Sequence, residues 1–180
     1  MRVVAGSARG RQLLAPNGVQ TRPTSDRVRE SIFNALFSLG DPVEGAQVLD
    51  LFAGTGALGI EALSRGAASV TFVEKHPKSV AVIEQNLERT GTADGATVVR
   101  AEALDWLDRC GGHYDLVLCD PPYDHDDWVT LLEKLARVVP DGLAVLESDR
   151  SIEPGAGWDA IRSRRYGGTV VSIVRRRAPA

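Results

Sequence analysis

The residues from Gln47 to Glu74, QVLDLFAGTGALGIEALSRGAASVTFVE, leave this chain few folds to choose from. Val48, Leu49, Leu51 and Phe52 form a short apolar run of strand length. Ala53-Gly54-Thr55-Gly56 interrupts it. Leu58, Ile60, Ala62 and Leu63, with the helix formers Ala57 and Glu61, predict a helix that starts near Thr55 or Gly56 and stops at Gly66. Val70 to Val73 predict the next strand. This is one βαβ unit with a tight turn at the carboxyl end of its first strand, the place where parallel sheets hold nucleotide-like ligands. Glycine at 54 and 56 lets the turn, which also contains Phe52, Ala53 and Thr55, approach a ligand closely. Glu74 ends the second strand 20 residues after Gly54, where a carboxylate accepts hydrogen bonds from ribose hydroxyls.

Gly54, Gly56 and Gly59 also satisfy the dinucleotide pattern G-x-G-x-x-G, so glycine spacing does not separate a nicotinamide enzyme from one that uses S-adenosylmethionine. Asp50 does separate them, unless it merely forms the turn at the strand end. A dinucleotide site offers N–H groups and a helix N-terminus to an anionic pyrophosphate, and a carboxylate beside it repels that ligand. S-adenosylmethionine carries no phosphate but has an ammonium and a sulfonium, which Asp50 suits.

Composition is that of an ordinary globular α/β chain: 180 residues, 43% hydrophobic and 25% charged. No apolar run is long enough to span a bilayer, and MRVVAGSARGR lacks the apolar stretch of a signal peptide. A cytoplasmic protein is expected. Cys110 and Cys119 make no disulfide framework, no Cys/His spacing points to zinc, and Cys119 belongs to the core. The net charge of −3 hides an uneven distribution. Residues 1–30 carry six Arg and two acids (+4), residues 31–150 nine Lys/Arg and twenty acids (−11), and residues 151–180 six Arg and two acids (+4). Arginine forks match phosphate and stack on bases. The alternative is that these arginines pair with the acidic middle.

Residues 1–20 stand apart in composition. Arg2–Gly6 and Gln12–Ala15 flank Ser7-Ala8-Arg9-Gly10-Arg11 and predict a basic β-hairpin with Arg9 and Arg11 at its tip, which must pack on the body or order on a partner. Pro16-Asn17-Gly18 is a turn and Thr21–Thr24 an extended linker, and the remainder, 21–180, forms the main domain. Ser25 or Asp26 caps a helix to about Leu39, with Arg22, Arg27 and Arg29 clustered at its start. Further on come a helix from Pro77 to about Arg89, a strand over Ala96–Arg100, a short helix over Glu102–Arg109 and a strand over Tyr114–Cys119. A helix capped by Asp126, a strand over Gly142–Glu147, and two strands around Gly167-Gly168 complete the chain. A run of β/α units thus closes with an antiparallel pair.

Asp120-Pro121-Pro122-Tyr123 ends the fourth strand, across the sheet's switch point from the glycine turn. Prolines donate no N–H, so the turn is rigid and its carbonyls point outward. An exocyclic amine is a poor nucleophile because its lone pair is delocalised into the ring. Asp120 and the Pro121 carbonyl accepting its two N–H bonds favour charge on nitrogen, and Tyr123 holds the base flat by stacking. Positioning supplies most of the remaining catalysis. Glu102 and Ala103, after the third strand, flank an adenine ring in such an architecture, unless Glu102 is a solvated helix-start residue. His76, His113 and His125 show no triad spacing and are expected at the surface, and Asp124, Asp126 and Asp127 form a solvated loop and cap; no metal is expected.

VLDLFAGTGALGIEALSRGA with FVE and DPPY is similar to Rossmann-like S-adenosylmethionine-dependent methyltransferases that modify exocyclic amines. RGRQL and TRPTSDRVRESIFNAL resemble the RsmD family, bacterial methyltransferases acting on N2 of a guanine in 16S ribosomal RNA. The resemblance runs from Met1 to about Pro122 and is weak after Val129. It implies a mostly parallel seven-stranded sheet with a terminal antiparallel hairpin, a basic N-terminal hairpin that holds RNA, and a target in the small ribosomal subunit. A monomer is expected. By it, Asp50, Gly54, Gly56, Glu74 and Glu102 fall on cofactor positions and Asp120–Tyr123 on the catalytic motif. The arginines expected at RNA are Arg2, Arg9, Arg11, Arg22, Arg27 and Arg29. The competing readings are an adenine-N6 DNA methyltransferase, which the same four residues also serve, a nicotinamide-dependent oxidoreductase, and a non-catalytic RNA-binding protein that retains the fold, against which the intact DPPY argues.

Overall fold

The computed structural model describes residues 1–15, 25–122 and 124–177. The expected turn at 16–18, the linker at 21–24 with Arg22, and Tyr123 lie outside them. Seven strands, β1 (Gln47–Leu51), β2 (Ser69–Glu74), β3 (Ala96–Arg100), β4 (Leu116–Cys119), β5 (Leu143–Ser148), β6 (Trp158–Tyr166) and β7 (Thr169–Arg176), form one sheet in the order β3-β2-β1-β4-β5-β7-β6. The first five run parallel, and β7 pairs antiparallel with both β5 and β6.

Among the described residues five α-helices cover the two faces: α1 (Asp26–Phe37), α2 (Ala57–Ser64), α3 (Pro77–Thr90), α4 (Ala103–Arg109) and α5 (Trp128–Val138). The central strands are buried on both faces, which is why they are continuously apolar. Residues of β1 alternate between two cores. Val48 joins Ile32, Phe33, Leu36, Ile60 and Ile83 of the first three helices, whereas Leu49 and Leu51 join Leu107, Leu131 and Leu135 of the last two. Sequence boundaries hold to within a residue or two, with two local differences. Ser25 caps α1 by accepting from the Val28 N–H, but the helix stops at Phe37 because Ser38 forms the cap, its hydroxyl donating to the Ala35 carbonyl. The cap of α5 is Asp127, which accepts from the Thr130 N–H, not Asp126.

The N-terminal segment departs further from expectation. Instead of two hairpin strands it makes a single antiparallel bridge, Arg2 to Gln12, with turns between. Two short pairing runs offer too little ladder to stand alone, and the segment takes its order from the body. Val3, Ala8 and Leu13 are buried in the first core. The N–H groups of Val4 and Ala5 donate to the Glu61 carboxylate at 2.8 and 3.0 Å, and that of Ala8 to the Ser64 hydroxyl at 2.9 Å. At Gly6 the backbone passes so close to α2 that a Cβ there would lie 1.7 Å from the Ser64 carbonyl oxygen.

Glu61 is fully buried and also accepts from Arg29 Nε (3.4 Å) and Arg65 Nε (2.8 Å). Arg29, equally buried, donates further to Asp26 and to the Arg2 carbonyl. Removing one member of a buried pair strands the other charge. Arg29→Ala is therefore expected to lower unfolding stability by about 3–5 kcal/mol in urea melts, while the exposed Arg27→Ala leaves the midpoint nearly unchanged.

Candidate active site

The register of β1 against β4 sets Asp50 beside Leu118 and Leu51 beside Cys119, so the glycine turn and Asp120-Pro121-Pro122 leave the sheet side by side. On the other flank Leu51 pairs with Val73 of β2, and Glu74 with Arg100 of β3. The expected cofactor residues Asp50–Gly56, Glu74, and Glu102 with Ala103 therefore line up along the carboxyl ends of β1, β2 and β3.

The turn is built from left-handed residues: Phe52 (φ 63°), Gly54 (φ 56°) and Gly56 (φ 75°). For phenylalanine that conformation costs on the order of 1–3 kcal/mol, a strain no sequence pattern announced. The glycines differ in purpose. A Cβ on Gly54 would face open space, nothing but the Phe52 carbonyl oxygen lying within 4 Å, so its outer side is free for a ligand. A Cβ on Gly56 would press on Ile83 and Ile60, and one on Gly59 would meet the Phe72 ring at 2.3 Å. Gly59 and Gly56 thus also let α2 pack closely against β2 and α3.

Glu74 holds the turn in place: one carboxylate oxygen accepts from the Gly54 N–H (2.9 Å), the other from the His76 N–H (2.8 Å). Each oxygen keeps a lone pair for a further donor. Asp50 is buried and accepts from the Gly59 N–H at 2.9 Å. Burial pushes its carboxyl well above the usual range, the Gly59 N–H opposes the shift, and the negative charges of Asp120 and Glu74 add to it. Neither Asp50 nor Glu74 pairs with a lysine or arginine among the described residues. Three carboxylates thus converge on one crevice, an arrangement that fits a cationic ligand and disfavours a pyrophosphate. Glu102 caps α4 through one oxygen, accepting from the N–H groups of Leu104 and Asp105, and Ala103 is buried beneath it.

The Asp120-Pro121-Pro122 turn is fixed from behind, the Pro122 carbonyl accepting from the His125 N–H at 2.9 Å. His125 is half-buried, not the surface residue expected. Its ring sits 6.0 Å from Phe52 and edge-on to Trp128 at 5.3 Å, with Nε2 buried and unpartnered. It joins the glycine turn to the motif loop, a contact between residues 73 positions apart that spacing alone does not reveal.

The arginines expected at RNA divide. Arg2, Arg9, Arg11 and Arg27 are exposed. Arg29 is not available to a phosphate, because it is buried against Glu61 and Asp26; its i+3 spacing from Asp26 and the inward face of α1 carry it into the core. Arg11 donates to the Arg89 carbonyl near the C-terminus of α3, and Arg9 follows Ala8, which is tied to the last residue of α2. Both lie toward the amino ends of the strands, away from the turn. A groove of about 670 Å³ also opens at those amino ends, among Gln47, Asp115, Gly142 and Arg175, and holds none of the candidate residues. Among the described residues no cluster of three or more His, Cys, Asp or Glu is placed to hold a metal, and no helix is long and apolar enough to cross a membrane.

Replacing Asp50 by Asn keeps an acceptor for the Gly59 N–H and removes the charge. Because folding raises the proton affinity of Asp50, its contribution to stability is full at acid pH and lost as pH rises through the raised value. Asp50→Asn is expected to raise the melting temperature near pH 8 and to lose that advantage below about pH 4, the unfolded carboxylate range. Calorimetric titration should show cofactor affinity reduced by about tenfold or more, about 1.4 kcal/mol.

Residues 1–175 match a protein-family model described as conserved hypothetical protein 95, well past the point where the motifs fade. The ribosomal RNA small subunit methyltransferase D of Escherichia coli is 36% identical over 99% of this chain and 91% of its own length. The Bacillus subtilis protein YlbH is 38% identical over 98% and 100%. Among solved structures, Escherichia coli yhhF superposes with a TM-score of 0.86 at 34% identity over 99% of both chains. A methyltransferase-fold neighbour, SMU.776, was solved complexed with SAH and shares the fold at 17% identity and a TM-score of 0.66, over 78% of this chain and 49% of its own. With a family model spanning nearly its whole length and full-length relatives above 30% identity, the chain belongs to the RsmD family of methyltransferases.

Proposed function

We propose that this protein transfers a methyl group from S-adenosylmethionine to the exocyclic N2 of a guanine in 16S ribosomal RNA, as a cytoplasmic monomer acting on the assembling or assembled small subunit. The observation that carries the reading is the convergence of Asp50, Glu74 and Asp120 beside an open-faced glycine turn. When bound, S-adenosylmethionine supplies a methyl group on a positively charged sulfur. Asp50 sets the local potential for that charge and for the ammonium. Glu74 keeps lone pairs for ribose hydroxyls, and the Ala103 N–H with the second Glu102 oxygen flank the adenine. Neighbouring strands lie about 4.8 Å apart, so β3 to β4 spans about 14 Å, room for an elongated ligand ending beside Asp120.

Asp120 and the Pro121 carbonyl accept the two N–H bonds of the target amine. Those two acceptors fix the lone pair's direction and favour charge on nitrogen; the N–C bond forms as the methyl–sulfur bond breaks, leaving S-adenosylhomocysteine, and the surplus proton on nitrogen leaves along the N–H bond that Asp120 accepts. The rigidity of Pro121-Pro122, buttressed by the His125 N–H, keeps those acceptors in place. Tyr123 stacks on a guanine flipped out of its helix. The name of the Escherichia coli relative, a small-subunit ribosomal RNA methyltransferase, supports the substrate class.

The test is methyl transfer from labelled S-adenosylmethionine to small subunits from cells lacking this enzyme, with naked 16S RNA and DNA in parallel. Label mapped to guanine N2 is expected, and label confined to DNA adenine would overturn the reading. In the same assay Asp120→Ala should reduce turnover by about 10²–10³-fold or more, the scale seen when one transition-state contact is removed, with S-adenosylmethionine binding retained. Simultaneous loss of both would assign Asp120 to the cofactor instead.

A further inference from the structure

β6 is the edge strand of the sheet, and between Trp158 and Tyr166 it is covered on neither face. Four successive residues, Arg162, Ser163, Arg164 and Arg165, are exposed. Arg162 and Arg164 share a register face with Ile173 and Val171, while Arg165 pairs with Val170 and projects from the other side. Among the described residues none of these three arginines makes a carboxylate pair, in contrast to Arg177 on the same hairpin, which pairs with Asp159. Arg164 lies over the Tyr166 ring at 5.4 Å, an arrangement that leaves its donors at the surface.

The position of the strand matters as much as its charge. β6 runs parallel to β5, since each is antiparallel to β7, so Arg164 and Arg165 stand at the same end of the sheet as the catalytic motif. A continuous set of contacts links them to it. Arg165 donates to the Asp149 carbonyl just past β5; the next residue, Arg150, donates to the His125 carbonyl and to Asp126, in the loop that follows Pro122. From β4 to β6 is three strand spacings, about 14 Å, a distance that arginine side chains shorten from both sides.

We propose that β6 is a seat for the phosphate backbone of the substrate RNA, with Arg162, Arg164 and Arg165 taking phosphates that flank the target nucleotide. This rests on the RNA reading given above. Uncompensated arginines on an accessible strand offer paired N–H forks to phosphate oxygens. Such contacts position a nucleic acid without reading its sequence. Charges on an edge strand also discourage edge-to-edge pairing between copies, and the experiment separates that role from RNA binding.

The full chain and its Arg162→Gln/Arg164→Gln/Arg165→Gln variant would be compared for binding of fluorescein-labelled single-stranded 16S RNA across salt concentrations. Methyl transfer to small subunits lacking the modification, S-adenosylmethionine affinity and self-association by light scattering would be measured on the same samples. The variant should bind RNA at least tenfold more weakly, with a salt slope shallower by about 2, from three lost single-strand phosphate contacts. KM for subunits should rise, with kcat, cofactor affinity and oligomeric state unchanged, and the triple lysine variant should recover most of the binding. Equal RNA binding and equal KM in variant and parent would overturn the proposal, as would a loss explained by self-association of the variant. Parent protein that binds RNA through β6 yet methylates none would leave the edge assignment standing and remove the guanine reading instead.

Discussion

Everything about the site depends on β4 pairing with β1. The chain builds β1, β2 and β3 in one direction across the sheet and then returns to lay β4 on the opposite side of β1. Side-by-side parallel strands share a carboxyl end, so the reversal leaves a crevice between the glycine turn and the Asp120 motif with no connection crossing it. The register, Leu51 against Cys119, decides that Asp50 and Asp120 sense each other's charge. A slip of one residue would turn Asp50 out of that crevice into the opposite core. The uninterrupted burial of Leu116–Cys119 and Val48–Leu51 is what makes such a slip costly.

Around that pairing the chain ties its own N-terminus to the turn. Glu61 lies mid-helix in α2, buried, and is satisfied by two backbone N–H groups of the N-terminal segment and by Arg29 and Arg65. A charge that deep is tolerable only when fully partnered. Asn86 of α3 makes the second tie. Its amide accepts from the Leu14 N–H and donates to the Leu14 and Thr55 carbonyls, so the segment, α3 and the glycine turn meet at one buried side chain. The segment is therefore a brace on α2 and α3, and removing it would uncover Glu61 and one end of Asn86.

How much of this was legible in the sequence follows from the range of the interactions. The βαβ unit, the parallel run and the closing antiparallel pair follow from local periodicity and turn residues, and each appears where the pattern put it. The Asp50–Gly54–Glu74 arrangement was legible because turn chemistry and strand ends fix it within one unit. The N-terminal segment keeps only a short antiparallel pairing of its own, Val3 N–H to the Arg11 carbonyl and Leu13 N–H to the Met1 carbonyl, and the rest of its order comes from α2 and α3, more than 50 residues away, which local pattern does not reveal. Arg29 read as a surface charge because its buried partner, Glu61, is 32 positions distant. His125 and the strained Phe52 were opaque for the same reason: their contact exists only once β1 and β4 are neighbours.

The uneven charge along the chain finds its explanation in this geometry. The acidic middle includes a crevice floor of Asp50, Glu74 and Asp120, while exposed arginines stand on Met1–Ala15, at the start of α1 and along β6. A floor of carboxylates attracts a cationic cofactor and repels phosphate with the same field. On the proposed reading, only the neutral base of an RNA enters the crevice, and its phosphates remain outside at the arginines of β6. That division favours extrusion of the nucleotide: the backbone is held where it is attracted, and the base spans the distance to Asp120. A net charge of −3 is then compatible with a nucleic-acid substrate, because the two ligands of opposite sign are met by different parts of the surface.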